Sequence, residues 1–187
     1  MKIACLGWGS LVWDSRELPI RGKWFEDGPI LPIEFLRTSR EKHLTLVINE
    51  ELGTPVRTLW TLLDCKNLNE AKDTLCFRES GKKYGQTKID VVDFILLDTE
   101  YNGTDFVKKT IYDWAIKLEL TGVVWTGLTA KFNGNEGEAP RTSNEALHYL
   151  KSLNGVATQK AEEYIRKAPK QIATAYRKEF TLELGWN

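Results

Sequence analysis

Short apolar runs separated by turn residues dominate the first two thirds of the chain, and this spacing predicts β-strands. The turn after one of these runs carries Asn49, Gly53 and Pro55, residue types that break regular structure. We expect strands at residues 3–6, 44–48, 58–62 and 88–97, with weaker candidates at 123–125 and 181–184.

Apolar residues at helical spacing follow, and residue types that begin or end helices flank them. Asn67 with Glu70 and Thr142 with Glu145 both fit capping boxes, and Gly155 and Pro169 follow the ends of the later segments. We expect helices from residue 68, over 105–118, from residue 143, and over 159–167.

Strands come first and helices later, without strict alternation, and this order predicts an α+β fold with a mainly antiparallel or barrel-like sheet. The length of 187 residues suits one domain with a sizeable core, so we expect a single domain over 1–187. The polar stretch 133–138 is expected to be a mobile loop inside it.

Charge and composition make several classes of function weaker candidates. Lys plus Arg and Asp plus Glu number 26 each, so the net charge is zero and there is no general attraction for nucleic acid or anionic lipid. The seven tryptophans are scattered and not interleaved with basic residues, which favours core packing over base stacking. We therefore expect neither a nucleic-acid partner nor a membrane partner.

The cysteines and histidines predict neither disulfides nor a metal site. Cys5, Cys65 and Cys76 are widely spaced, as is typical of buried reduced thiols in a cytoplasmic protein. His43 and His148 have no further ligand nearby at a metal-binding spacing. The N-terminal apolar run is too short for a secretory signal, so the expected location is the cytoplasm.

A glycine-containing turn, Gly7-Trp8-Gly9-Ser10-Leu11, directly follows the first predicted strand. Two glycines spaced by one residue let the backbone approach a ligand, and successive N–H groups there can hold a carboxylate or an oxyanion. Such turns are common, however, and a plain structural turn is the more frequent meaning of the pattern. No Gly-Lys-Ser/Thr follows, so this is not a phosphate-binding P-loop.

Glu79 is the candidate acid–base residue. It lies in Phe77-Arg78-Glu79-Ser80-Gly81, which we expect to be a loop between the first helix and the long strand. A carboxylate in a partly apolar pocket can exchange protons near neutral pH. The alternative, which the segment on its own favours, is a solvated charge at a helix end.

Together the two segments resemble the γ-glutamylcyclotransferase-like family, in which a first strand leads into a Tyr-Gly-Ser/Thr-Asn/Leu loop. Trp8-Gly9-Ser10-Leu11 is similar to that loop, and Glu79 matches the position of the family's single catalytic Glu. The segment 56–62 is similar to the family's strand before the helix that precedes this Glu. The resemblance covers about the first half of the chain.

The resemblance implies a small mixed, largely antiparallel β-barrel with flanking helices. It implies that the loop residues Gly7, Trp8, Gly9, Ser10 and Leu11 hold the γ-glutamyl part of a small amino-acid-like ligand. Glu79 would take a proton from the α-amino group, which attacks its own γ-carbonyl, and would return it to the leaving amine, releasing 5-oxoproline. This chemistry needs no metal and no cofactor. Residues 122–187 lie outside the family core and are expected to form a C-terminal extension packed on it.

Arg37 and Tyr84 complete the set of candidate binding residues. Arg37 and Arg40 would point to opposite faces of a strand, and an inward Arg37 would need a carboxylate such as the α-carboxylate of a substrate. The alternative is two solvated surface arginines. Tyr84 follows Glu79 by five residues, and a Tyr often follows the Glu in this family; a half-buried loop tyrosine is an equal alternative.

Three functions remain open from the sequence. The first is an enzyme that cyclises a γ-glutamyl amine or peptide through Glu79. The second is a non-catalytic small-molecule-binding or regulatory protein on the same fold, favoured by Trp8 in place of the usual Tyr and Leu11 in place of the Asn of many members. The third and weakest is a nucleic-acid or protein-interaction domain.

Overall fold

The computed structural model describes residues 1–87, 91–97 and 100–186. Its strands, in chain order, are β1 (Ile3–Gly7), β2 (Ile20–Phe25), β3 (Ile30–Thr38), β4 (Leu44–Ile48), β5 (Thr54–Arg57), β6 (Leu59–Leu63), β7 (Val92–Leu96), β8 (Gly122–Thr126), β9 (Lys131–Phe132) and β10 (Asn135–Glu136). Its helices are α1 (Leu68–Ser80), α2 (Phe106–Ala115), α3 (Ser143–Ser152), α4 (Val156–Lys167) and α5 (Ala175–Leu184).

The chain forms two compact units, each assembled from separate stretches of sequence. The first unit contains Met1–Gly7, Asp14–Ile30 and Arg57–Leu128. The second unit contains Trp8–Trp13, Leu31–Val56 and Thr129–Asn187.

The first unit is built on a five-stranded sheet in the order β2-β6-β1-β8-β7. All neighbouring strands are antiparallel except β1 and β8, which run parallel with Cys5 opposite Val124. β1 and β8 are interior strands, and their almost wholly apolar residues are buried, as expected for strands with neighbours on both sides. Helix α1 packs on β7 and β8 through Ala71, Leu75 and Cys76.

The second unit has a sheet in the order β10-β9-β3-β4, with β5 also pairing with β3. Strand β3 pairs antiparallel with β4, and a bulge lies between Phe35 and Arg37. Helices α3 and α5 pack together in this unit, and Tyr176 and Phe180, one turn apart, form the buried face of α5.

The α+β class and the largely antiparallel pairing predicted from the sequence are confirmed. The strands at the N-terminus, at 44–48 and at 123–125 are present, as are the four predicted helices; residues 88–90 of the predicted long strand lie outside the described part. The predicted strand at 181–184 is wrong, because these residues form the end of α5. The predicted loop at 133–138 is wrong in part, because Asn135 and Glu136 form strand β10, while Asn133 and Gly134 form the turn before it.

The boundary expected at residue 122 falls inside the first unit, because β8 lies between β1 and β7 in its sheet. The assignment of one domain with a C-terminal extension stays a prediction. Cys5, Cys65 and Cys76 are buried free thiols, as expected. Within the described ranges, none of the helices combines the length and the apolar character needed to cross a bilayer.

Candidate functional site

Helix α1 carries Glu79 in its last turn, so the prediction that this residue lies in a loop is wrong. Asn67 begins the helix by accepting a hydrogen bond from the Glu70 backbone N–H, and the Glu70 side chain accepts one from the Lys66 backbone N–H. Gly81 ends the helix in the left-handed conformation, at φ 72°, which glycine adopts without steric cost. The Glu79 side chain is therefore attached to a helix capped at both ends.

Arg78 is buried next to Glu79. It lies seven residues after Ala71 and three after Leu75, on the same face of α1, which turns its side chain inward. Its guanidinium donates to Glu79 Oε1 at 2.7 Å and, through Nη2 and Nε, to the Asp14 carbonyl at 2.6 and 3.2 Å. A buried guanidinium needs such partners, because leaving it unpaired would cost several kcal/mol, on the order of 3–5.

The Glu79 carboxylate is held by one of its two oxygens. Oε1 accepts the Arg78 bond and a longer one, of 3.4 Å, from the Thr126 hydroxyl. No donor to Oε2 is found within residues 1–87, 91–97 and 100–186. The side chain is 14% exposed, so it is mostly buried yet accessible. One oxygen is thus fixed in position, and the other has no donor among the described residues.

Glu79 lies at the end of the sheet where the glycine turn begins. Thr126 is the last residue of β8 and Gly7 the last residue of β1, and each stands two positions beyond the parallel pair Cys5 and Val124. The carboxyl ends of parallel strands meet at one edge of a sheet. The first unit therefore brings Gly7 and Glu79 to the same end of the sheet.

Cys5 lies in β1, two residues before Gly7. Burial raises the pKa of its thiol well above the ordinary value, the negative charge of Glu79 adds to the rise, and Arg78 opposes it. The thiol is fully buried and stays protonated at neutral pH. A buried, protonated thiol is a poor nucleophile, so Cys5 is not a candidate for nucleophilic chemistry at this site.

The other residues of the glycine turn belong to the second unit. Trp8 is buried there, and its indole N–H donates to the Leu46 carbonyl at 3.2 Å. The Tyr164 hydroxyl accepts a hydrogen bond from the Leu46 N–H at 3.4 Å. β4 is the last strand in its sheet order, so these two side chains satisfy backbone groups on a strand edge. Leu11 is also buried, and Ser10 is partly exposed.

Arg37 meets a carboxylate, but one from its own chain. Its guanidinium forms a two-pronged pair with Glu136, with N···O distances of 2.6 and 3.1 Å, and also donates to the Thr129 carbonyl at 2.8 Å. The Arg37 side chain is 12% exposed, whereas Arg40 is exposed. Arg37 is therefore partly shielded from solvent, while its inward orientation and its role in binding a substrate stay predictions.

Tyr84 is a half-buried residue of the first unit. Its ring meets the Phe94 ring edge-on at 6.1 Å, and the Lys72 ammonium lies 4.7 Å from the Tyr84 ring centre and 4.1 Å from that of Phe94. Its backbone N–H donates to Asp73 on α1. These contacts attach the segment after α1 to the helix and to β7; whether Tyr84 also lines a pocket stays a prediction.

In the described parts of the chain, no cluster of three or more His, Cys, Asp and Glu side chains could hold a metal ion. Sequence reasoning missed Arg78 and Thr126. The helical spacing of Arg78 with Ala71 and Leu75 was a signal that could have identified the first. The second depends on the pairing of β1 with a strand more than a hundred residues later, for which the sequence carries no local signal.

Comparisons with protein-family models, with curated proteins and with solved structures find no match.

Proposed function

We propose that the chain is a γ-glutamylcyclotransferase-like enzyme that converts a small γ-glutamyl amine or peptide to 5-oxoproline, with Glu79 as the proton shuttle. The arrangement of the Glu79 carboxylate supports this proposal. Oε1 is held by Arg78 and Thr126, while Oε2 has no donor within the described residues. A fixed but accessible carboxylate suits general acid–base catalysis.

In the proposed reaction Glu79 Oε2 accepts a proton from the α-amino group of the substrate. The amine nitrogen then attacks the γ-carbonyl carbon and closes a five-membered ring. The bond to the leaving amine breaks as Glu79 returns the proton to it, so the carboxylate is regenerated. The reacting groups belong to one molecule, and the main tasks of the protein are positioning and proton transfer.

Two finer assignments accompany this proposal. The largely antiparallel sheet of the first unit corresponds to the barrel of that family, and the protein acts in the cytoplasm, where buried thiols such as Cys5 and Cys76 stay reduced. The proposed ligand is a small γ-glutamyl compound.

The decisive test is release of 5-oxoproline from a panel of γ-glutamyl amines and dipeptides by the wild type and by Glu79→Gln. The amide keeps the shape of the side chain but cannot cycle a proton, so we expect a loss of about 10²–10⁴-fold in kcat. Glu119→Gln is the matched control, because Glu119 is an exposed carboxylate of the same unit that pairs only at the surface with Lys2. Its activity should equal that of the wild type.

Equal rates for the wild type and Glu79→Gln would remove Glu79 from the mechanism. A thermal-shift measurement with the same compounds and with 5-oxoproline separates the alternative function. A ligand that binds only the folded state raises the unfolding temperature, so stabilisation without turnover indicates a non-catalytic binding protein.

A further inference from the structure

Three charged side chains lie across three adjacent strands of the second unit. The Glu136 carboxylate on β10 accepts hydrogen bonds from both Nη atoms of Arg37 on β3. It also accepts one, at 3.0 Å, from Lys131 Nζ on β9. Strand pairing aligns them, because Arg37 is opposite Lys131 and Lys131 is opposite Glu136. Two cations thus surround one carboxylate.

The geometry around Arg37 is that of a built carboxylate site. The Thr129 carbonyl accepts from Nη1 at 2.8 Å, and the Thr45 hydroxyl donates to the Arg37 carbonyl at 3.1 Å, so both ends of the residue are fixed. A guanidinium fixed in this way presents two parallel N–H groups, which match the two oxygens of a carboxylate. The hydrogen bond from Arg37 lowers the pKa of Glu136 to about 2, so Glu136 is ionised at neutral pH.

The Glu136 carboxylate lies on β10, the outer arm of the β9–β10 hairpin. β10 contains only Asn135 and Glu136, both exposed, and it stands at the end of its sheet order. The turn before it is Asn133-Gly134, with φ values of 50° and 88°, which fits a tight hairpin. β9 is the anchored arm, because Phe132 is buried and meets the Tyr149 ring at 5.4 Å. β10 is therefore the exposed arm of the hairpin, and β9 is the buried, anchored one.

We propose that Arg37 and Lys131 form a binding site for the carboxylate of a small anionic ligand, and that Glu136 occupies this site until the ligand displaces it. The site carries two positive charges against one negative charge, so an incoming carboxylate is attracted even before Glu136 leaves. The proposal is independent of Glu79 and holds whether or not the chain releases 5-oxoproline.

Glutarate is a suitable probe, with the neutral diamide glutaramide as its uncharged counterpart. Calorimetric titration at fixed ionic strength and neutral pH compares the wild type with Glu136→Gln, which removes the internal competitor. We expect Glu136→Gln to bind glutarate at least about tenfold more tightly than the wild type. Adding Arg37→Gln to Glu136→Gln should abolish the gain, and glutaramide should bind none of these proteins.

Glu138→Gln is the matched control, since Glu138 is an exposed carboxylate of the same hairpin region that bonds to Asn135 rather than to Arg37. It removes the same charge two residues away and should leave glutarate affinity at the wild-type level. An equal gain in Glu138→Gln, or no gain in Glu136→Gln, overturns the proposal.

A measurement on the wild type avoids any dependence on the folding of the variants. The backbone amide signals of Gly134 and Gly137 report on the hairpin and should shift at high glutarate concentration, because the arm is displaced. Glutaramide, and chloride at the same ionic strength, should leave these two signals in place. An equal response to all three solutes would show that no carboxylate displaces Glu136.

Discussion

Position 9 has no room for a side chain because it lies close to Tyr164. A β-carbon placed on Gly9 would lie 2.5 Å from the Tyr164 hydroxyl oxygen but 3.5 Å from Cζ, an ordinary contact distance. The hydroxyl alone therefore excludes a side chain at position 9. The same hydroxyl accepts the hydrogen bond from the Leu46 N–H, so it stays in place in the folded unit.

We predict that Gly9→Ala and Tyr164→Phe compensate each other. Gly9→Ala alone should lower the free energy of unfolding by about 1–3 kcal/mol through overpacking. Tyr164→Phe alone should lower it by about 1 kcal/mol, because Leu46 loses a hydrogen-bond partner. In the double variant the methyl group takes the space of the missing hydroxyl, so the loss should be clearly smaller than the sum. Urea denaturation of the four proteins measures this coupling.

Gly28→Ala provides the control for this cycle. A β-carbon on Gly28 would lie 2.6 Å from the Thr58 carbonyl oxygen, so this variant is crowded by a group other than Tyr164. When Gly28→Ala is combined with Tyr164→Phe, the two losses in the free energy of unfolding should add. Additivity in the Gly9 cycle as well would mean that the hydroxyl is not what excludes a side chain at position 9.

The sequence could propose individual site residues but not their partners. Glu79 and Arg37 were candidates from their residue types and spacing. Their distant partners, a hydroxyl and a carboxylate, depend on geometry that sequence order does not contain: Thr126 is 47 positions from Glu79, and Glu136 is 99 positions from Arg37. Long-range pairing of strands decides both contacts, so no local pattern could have identified them.

Helix α5 begins at a buried carboxylate, and this single group joins three elements of the second unit. Glu34 on β3 is fully buried and accepts from the Thr54 hydroxyl of β5 at 2.9 Å and from the Tyr176 N–H of α5 at 3.2 Å. The Phe35 N–H donates to its other oxygen at 3.0 Å. A negative group at a helix N-terminus is favoured by the unpaired N–H groups there.

We predict that the stabilising effect of Glu34 depends on pH. Burial raises the pKa of Glu34, and hydrogen bonds from residues that include Thr174 oppose the rise. A raised pKa means that the folded state binds the proton more tightly, so this contribution to the free energy of unfolding is complete below the unfolded pKa. It is lost as the pH rises through the folded pKa.

Urea denaturation of the wild type and of Glu34→Gln at pH 4.5 and pH 7.5 checks this prediction. At pH 4.5 the variant should be less stable by about 1–3 kcal/mol, because its amide NH₂ faces donors. The difference in stability between the wild type and the variant should shrink at pH 7.5, since Glu34 titrates and the glutamine does not. Glu51→Gln, which removes an exposed carboxylate of the same unit, should cost no more than about 1 kcal/mol. A stability difference that grows from pH 4.5 to pH 7.5 would contradict the raised pKa of Glu34.

The elements that the sequence predicted correctly carry their own boundary signals. Asn67, Asp105 and Thr142 each accept a hydrogen bond from the backbone of the third following residue, so the starts of α1, α2 and α3 could be located locally. Helix α5 was mistaken for a strand because its last residues alternate between apolar and polar types. In the structure Leu182 is 77% exposed, so that alternation does not mark a buried face.

The division of the chain into units does not follow the order of the sequence. Each unit contains three separate segments that alternate with those of the other unit along the chain, so neither unit is a continuous stretch. Strand β8 illustrates the consequence. It is remote in sequence from β1, yet it lies between β1 and β7, and its residues Val123, Val124 and Trp125 are buried.

Two truncations that differ only by β8 and the two residues that follow it test the contribution of this strand. The fragments 1–121 and 1–128 both lack α3, α4 and α5, but only the longer one retains β8. Without β8, strands β1 and β7 lose their shared neighbour and α1 loses apolar surface to pack on. We predict a cooperative thermal transition in near-ultraviolet circular dichroism for 1–128 and none for 1–121. Indistinguishable melting of the two fragments would mean that the first unit does not depend on β8.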